Sequence, residues 1–245
     1  MDARSDPRGL EIVVRTFRSA SGFSPRERRL IARLRTPLAV QRYLNRLPYN
    51  TEPAPGGATL RSFRGVVRHG AAHCLEAALF AAVVLEQHGY PPLVLSFESI
   101  DELDHVVFLY RARGPGLRGV EGRWGSVARS RDPGLHGRLP VFATPRALAL
   151  SYVDPYVDYS GRVTAYAVVD VAKEMGKYDW RLAETNIWKV ERMLLDFRHR
   201  PIKTSDQRFR QLRKWYREYR AAHGGRKPID YAGRDRWTEI PEEFR

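Results

Sequence analysis

An α+β domain built on an antiparallel sheet is the fold class this sequence predicts. Residues Cys74 to His88 make one helical run that is apolar nearly all the way round, the mark of a buried helix. Three strand-like runs follow it directly, "PPLVLSFES", "HVVFLYR" and "WGSVARS". Polar or Gly-rich turns separate them and no helix intervenes, so they are expected to pair as antiparallel neighbours. Helical spacing returns after Thr144. With 43% hydrophobic residues over 245 positions, the chain has enough apolar material for a sizeable core.

The elements follow in order. The N-terminal segment carries a polar tail and a short strand candidate, "LEIVVRTF". Ser24 is placed as an N-cap, Pro25 suits the first helical position, and Glu27 completes a capping box. Leu30, Ile31, Leu34 and Leu38 recur at helical spacing, so an amphipathic helix is predicted that bends or breaks before Pro37. "LPYNTEPAPGGAT" reads as an irregular loop. Gly89 stops the buried helix. In the strand opened by His105, residues 105, 107 and 109 share one face, and 106, 108 and 110 the other. "ARGPGLRGVEGR" turns that strand into the one headed by Trp124. Beyond Thr144, "TPRALALSYVDPYV" has an N-cap and a proline. "AVVDVAKEMGKYDWRLAETNIWKVERMLLDF" places Leu182, Ile187, Val190 and Leu194 in helical phase. A last basic helix runs from about Ser205 to Ala222, with an aromatic stripe of Phe209, Leu212, Trp215, Tyr216 and Tyr219. The chain thus divides into a core over 1–143, a helical extension over 144–222 packed on it, and an extended or partly ordered tail over 223–245.

Composition narrows the function classes. The net charge of +14, carried mostly by arginine, favours anionic partners. The basic helix near the C-terminus is the candidate surface for an acidic protein or a nucleic acid. The single cysteine excludes a disulfide framework and a Cys-rich zinc site, and fits a reducing compartment. The N-terminus has no signal core, and the longest apolar run, Leu75 to Leu85, is interrupted by Glu76 and too short for a bilayer. A cytoplasmic protein without a membrane span is expected. Asp101, Glu102 and Asp104 read as a solvated loop rather than a metal site. There is no Walker A loop, dinucleotide fingerprint or metalloprotease helix, and no cofactor is called for.

Chemistry centres on Cys74. A lone thiol is often a small core hydrophobe. This one starts a helix, where free backbone N–H groups and the positive dipole end favour a thiolate and can receive an oxyanion. Of the seven histidines, His73 is adjacent to it in sequence, and neighbours at a helix start do not usually face each other. His105 is the better candidate base: it heads an otherwise apolar strand face. Glu76 is read as a helix-start carboxylate that complements the dipole or caps a neighbour.

The motifs "HCLEAALFAA", "DHVVFLY" and "GRWGSVARS", preceded by "QRYLNRLPYN" and "GATLRSFRGVVRHG", resemble the transglutaminase-like superfamily of papain-like thiol enzymes over about residues 24–142. The resemblance implies a core of a Cys-bearing helix packed on an antiparallel sheet. It also implies a thiol peptidase, amidase or transamidase acting on a peptide or amide substrate. Cys74 would be the nucleophile, His105 the base, and an acid on the next strand would orient the base. This sequence departs from the pattern at that third place, where Ala128 stands. Asp132 is the nearest acid, Ser126 and Ser130 are the polar alternatives, and a backbone group or no group at all are the others. The departure also leaves open a non-catalytic module that binds an acidic partner or nucleic acid through its basic surface.

Overall fold

The computed structural model describes residues 22–52, 57–100, 105–113, 121–156 and 162–225. The N-terminal strand candidate, the carboxylates at 101, 102 and 104, and the tail beyond 225 lie outside the described residues. Ser24 accepts the Glu27 N–H at 3.2 Å while the Glu27 carboxylate takes the Ser24 N–H at 2.6 Å, so a full capping box opens α1 (Pro25–Arg33). The chain breaks before Pro37 and restarts as α2 (Pro37–Arg46), capped by Thr36. The break resets the helical phase. Leu30, Ile31 and Leu34 are buried, whereas Leu38 turns outward and Val40 and Leu44 take the core positions. A short helix that the sequence reading did not foresee, α3 (Phe63–His69), ends on Gly70 in the left-handed region. Then comes α4 (Cys74–Glu86), with Gly89 at φ 80° beyond its end.

The sheet has six strands, all antiparallel, in the order β4-β3-β2-β1-β5-β6. They are β1 (Leu93–Ser99), β2 (His105–Arg111), β3 (Trp124–Val127), β4 (Arg138–Phe142), β5 (Val163–Asp170) and β6 (Arg200–Pro201). The remaining helices are α5 (Pro145–Leu150), α6 (Val171–Met175), α7 (Trp188–Asp196) and α8 (Asp206–Ala222). The α+β class with a buried Cys-bearing helix on an antiparallel sheet is what the sequence predicts. The apolar circumference of α4 has a direct cause. It packs on β1 and β2 with one side and on α2 and α3 with the other, so no face meets water. Val94, Val106, Phe108 and Tyr110 point into this main core, while Leu93, Leu95, Phe97, Val107 and Leu109 build a second core on the opposite sheet face.

One segment differs from its sequence reading. Residues 163–170, expected to be helical, form β5 and pair with β1 along its whole length. Three of its eight residues are valine, with Thr164 and Tyr166 beside them, and it fills the open edge of β1, whose backbone groups would otherwise lack partners. Asp170 then caps α6, accepting the Lys173 N–H at 3.0 Å. The sheet therefore draws strands from both sides of residue 143. The last helix keeps its predicted bounds. Tyr216 is buried, Phe209, Leu212, Trp215 and Tyr219 are half-buried, and Arg210, Lys214 and Arg217 are exposed. Among the described residues no helix is long and apolar enough to cross a membrane.

Candidate functional site

Two backbone clamps deliver the thiol. The Ala72 N–H donates to the Pro48 carbonyl at 3.3 Å and the Asn50 N–H to the Ala72 carbonyl at 3.2 Å. This bridge ties the loop after α2 to the residues just before α4. Cys74 then sits at the first helical position, half-buried. The rings of His105 and His73 lie close enough to its sulfur to favour the thiolate, and the Tyr49 hydroxyl is close enough to be shifted by it.

His105 opens β2 and is 3% exposed. Its ring stacks on its cross-strand partner Phe97 at 6.2 Å and packs against Tyr152 at 5.9 Å. Its Nε2 lies 2.9 Å from the Leu135 carbonyl. A carbonyl only accepts, so Nε2 carries a proton and Nδ1 is the nitrogen left for the thiol. The place behind the base is thus taken by a backbone oxygen.

Asp132 stands one turn earlier. Its carbonyl accepts the Leu135 N–H at 2.9 Å, closing the 3₁₀ turn Pro133–Leu135, and its N–H donates to Ser130 Oγ at 3.0 Å. Asp132 reaches the ring's partner through this turn. Ser126 is fully buried and serves a different knot. Its Oγ accepts the Arg138 N–H at 2.9 Å and meets the Tyr152 hydroxyl at 2.7 Å, which in turn donates to the His136 carbonyl.

His73 is closer to the chemistry than its position in the sequence suggests. Its extended backbone, at φ −87° and ψ −176°, lets its ring turn back beside the thiol. Nε2 lies 2.9 Å from the Thr59 carbonyl and 3.7 Å from the Glu76 carboxylate. Glu76 is fully buried and well supplied with donors. It takes N–H groups from His73 at 3.0 Å and Arg61 at 2.9 Å, with Asn50 and Thr59 side chains at 3.1 and 3.2 Å.

The electrostatics follow. Burial resists charge on the His73 ring, but the thiol hydrogen bond and the Glu76 carboxylate outweigh it and raise the ring to about 9. Burial likewise resists a Cys74 thiolate, and the hydrogen bonds and charges of His105 and His73 overcome it, lowering the thiol to about 5. Tyr49 is pushed up, first by burial and then by the neighbouring thiolate. The centre therefore favours a thiolate beside a protonated His73 ring at neutral pH. No group of three His, Cys, Asp or Glu among the described residues is arranged to hold a metal ion.

The sequence pointed to Cys74 and His105, and the structure brings them together. It missed His73, Tyr49 and the Leu135 carbonyl. The "LPYN" motif had marked the Tyr49 neighbourhood, but nothing in sequence identifies a carbonyl as a partner.

No protein-family model and no curated protein matches the chain. Among solved structures it is similar to Legionella pneumophila LapG, at 15% identity and a TM-score of 0.37 over 67% of this chain and 84% of that one. The calcium-bound form of LapG gives 14% identity and a TM-score of 0.35 over 68% and 84% of the two chains.

Proposed function

We propose that the chain is a thiol-dependent acyl enzyme, a peptidase, amidase or transamidase that opens an amide bond through a Cys74 thioester. The observation that carries this reading is a half-buried thiol at a helix start whose pKa the His105 and His73 rings lower to about 5. The sulfur attacks the amide carbon. The developing oxyanion is met by the Cys74 N–H, with the Tyr49 hydroxyl beside it. His105 carries the proton through Nδ1 and delivers it to the leaving amine as the C–N bond breaks. It then takes a proton from the water or amine that opens the thioester. The Leu135 carbonyl holds the ring on Nε2, and Asp132 acts on the base through the turn that presents this carbonyl. His73 stays protonated against Glu76 and keeps the sulfur charged.

Iodoacetamide alkylation followed by mass spectrometry tests the reading. Labelling of Cys74 is expected to rise with a midpoint near 5. An ordinary thiol titrates at 9.0. His105→Ala is expected to slow labelling at pH 7 by about tenfold or more. Labelling of the native chain no faster than of the urea-unfolded chain at pH 7 would sink the proposal.

A further inference from the structure

The first three helices enclose a cleft of about 400 Å³ that the thiol chemistry does not use. Arg26, Arg29 and Arg33 of α1 line one wall, and Leu30, Tyr43 of α2 and Val67 of α3 complete it. The three arginines recur at i, i+3 and i+7, so they form one row about 10 Å long. All three are exposed, and none makes an ion pair with a described residue. The one acid of α1, Glu27, is committed elsewhere, to Arg64 at 2.8 Å and to the Ser24 N–H at 2.6 Å. The cleft is therefore left with uncompensated positive charge.

Tyr43 supplies the second half of the site. Its ring stacks on Phe80 at 5.3 Å with an interplanar angle of 12°. Phe80 is fully buried in α4, so one face of Tyr43 is pinned flat against the core. The ring is only half-buried and also lines the cleft. Arg26 and Arg33 line the same cleft as the ring, and while burial raises the Tyr43 hydroxyl their charges pull it back. A pinned aromatic platform beside a row of planar fork donors suits a flat base joined to phosphates. A run of Asp and Glu would use the arginines alone and leave the Tyr43 ring without a stacking partner.

We propose that this cleft binds a nucleotide unit, its base stacked on Tyr43 and its phosphates held by Arg26, Arg29 and Arg33. The unit belongs either to a free nucleotide or to a single strand. The site shares no residue with the thiol centre, so its failure leaves the acyl chemistry untouched.

The test uses the full chain with two probes: a fluorescein-labelled oligouridine strand followed by anisotropy, and ATP followed by calorimetry. The surface variant R26Q/R29Q/R33Q, with native circular dichroism as a fold check, is expected to weaken either probe by about tenfold or more. It should also lower the salt slope for the strand by about 2, as expected for three lost phosphate contacts. Tyr43→Leu is expected to weaken nucleotide binding about fivefold or more while inorganic pyrophosphate binds as before. Comparable affinity for ATP and strand identifies a free nucleotide, and strand binding with weak ATP binding identifies a single-stranded nucleic acid. Absence of binding by both probes overturns the proposal. Binding unchanged in the triple variant overturns it too, and would move the strand to α8. Polyglutamate competing as well as the strand would reduce the site to charge alone and also overturn it.

Discussion

At the scale of single residues, His73 and Glu76 decide what kind of thiol Cys74 is. The raised His73 ring contributes stability that is full below its ordinary value of 6.5 and is lost as pH rises through about 9. The depressed Cys74 thiol contributes stability that is full above its ordinary value of 9.0 and is lost as pH falls through about 5. The ion pair therefore exists between these two folded values. Replacing His73 by Asn removes the protonated ring beside the sulfur. The alkylation midpoint is expected to move up by about 1–3 pH units, read from labelling rates across pH. Glu76→Gln keeps the shape and removes the charge that holds His73 protonated. Its alkylation profile is expected to shift in the same direction. A thermal melt is also expected to show the loss of about 1–3 kcal/mol, because a buried acceptor of several N–H groups is weakened.

At the scale of elements, the base is positioned by the end of β3 and the loop behind it. Gln41, fully buried on α2, imitates a strand there: its Nε2 donates to the Ala128 carbonyl at 2.7 Å and its Oε1 accepts the Ala128 N–H at 2.9 Å. Gly137 lies in the same knot. A Cβ on it would meet the Gln41 amide and the Ser126 carbonyl, the latter at 2.5 Å. Gly137→Ala is expected to cost about 1–3 kcal/mol of stability in chemical denaturation, since backbone cannot give way as a side-chain end can. Arg138 donates to the carbonyls of Gly134, His136 and Gly137, and its guanidinium lies 4.2 Å over the Tyr152 ring. This gathers the carbonyls of 134, 136 and 137 on one cation, while the Leu135 carbonyl faces His105. Tyr152→Phe removes the donor to the His136 carbonyl while keeping the ring against His105. A loss of about 0.5–1.5 kcal/mol is expected, with slower alkylation at pH 7 as the sign that the base has lost its alignment.

Across the whole molecule, α4 is the axle. Cys74 starts it, and Glu86 near its end carries a buried bidentate pair with Arg181, both bonds at 2.7 Å. Arg181 also lies 4.3 Å over the Trp180 ring, which is itself fully buried. The pair pins the segment between α6 and α7 to the main core. Arg181→Met strands a buried carboxylate and is expected to cost about 3–5 kcal/mol, while the double variant Glu86→Leu with Arg181→Met recovers much of it. Thermal melts of the two variants check this. Alkylation of Cys74 in the folded fraction should survive both.

Local chemistry was enough for much of this protein. Caps and prolines marked α1 and its break before Pro37, and the apolar circumference of one run marked the buried α4. Strand-like runs between polar or Gly-rich turns marked β1 to β3, and a thiol at a helix start with a strand-opening histidine after it marked Cys74 and His105. These are properties of a few consecutive residues, so sequence spacing expresses them. Three features needed the tertiary structure. The segment 163–170 is a strand because the β1 edge pairs it, a choice made by a neighbour distant in sequence. His73 faces the thiol because an extended backbone and the Thr59 and Glu76 partners turn its ring back, which helix spacing rules do not describe. The Leu135 carbonyl holds the base because a backbone oxygen carries no residue identity, and only the path of the folded chain brings it behind the ring.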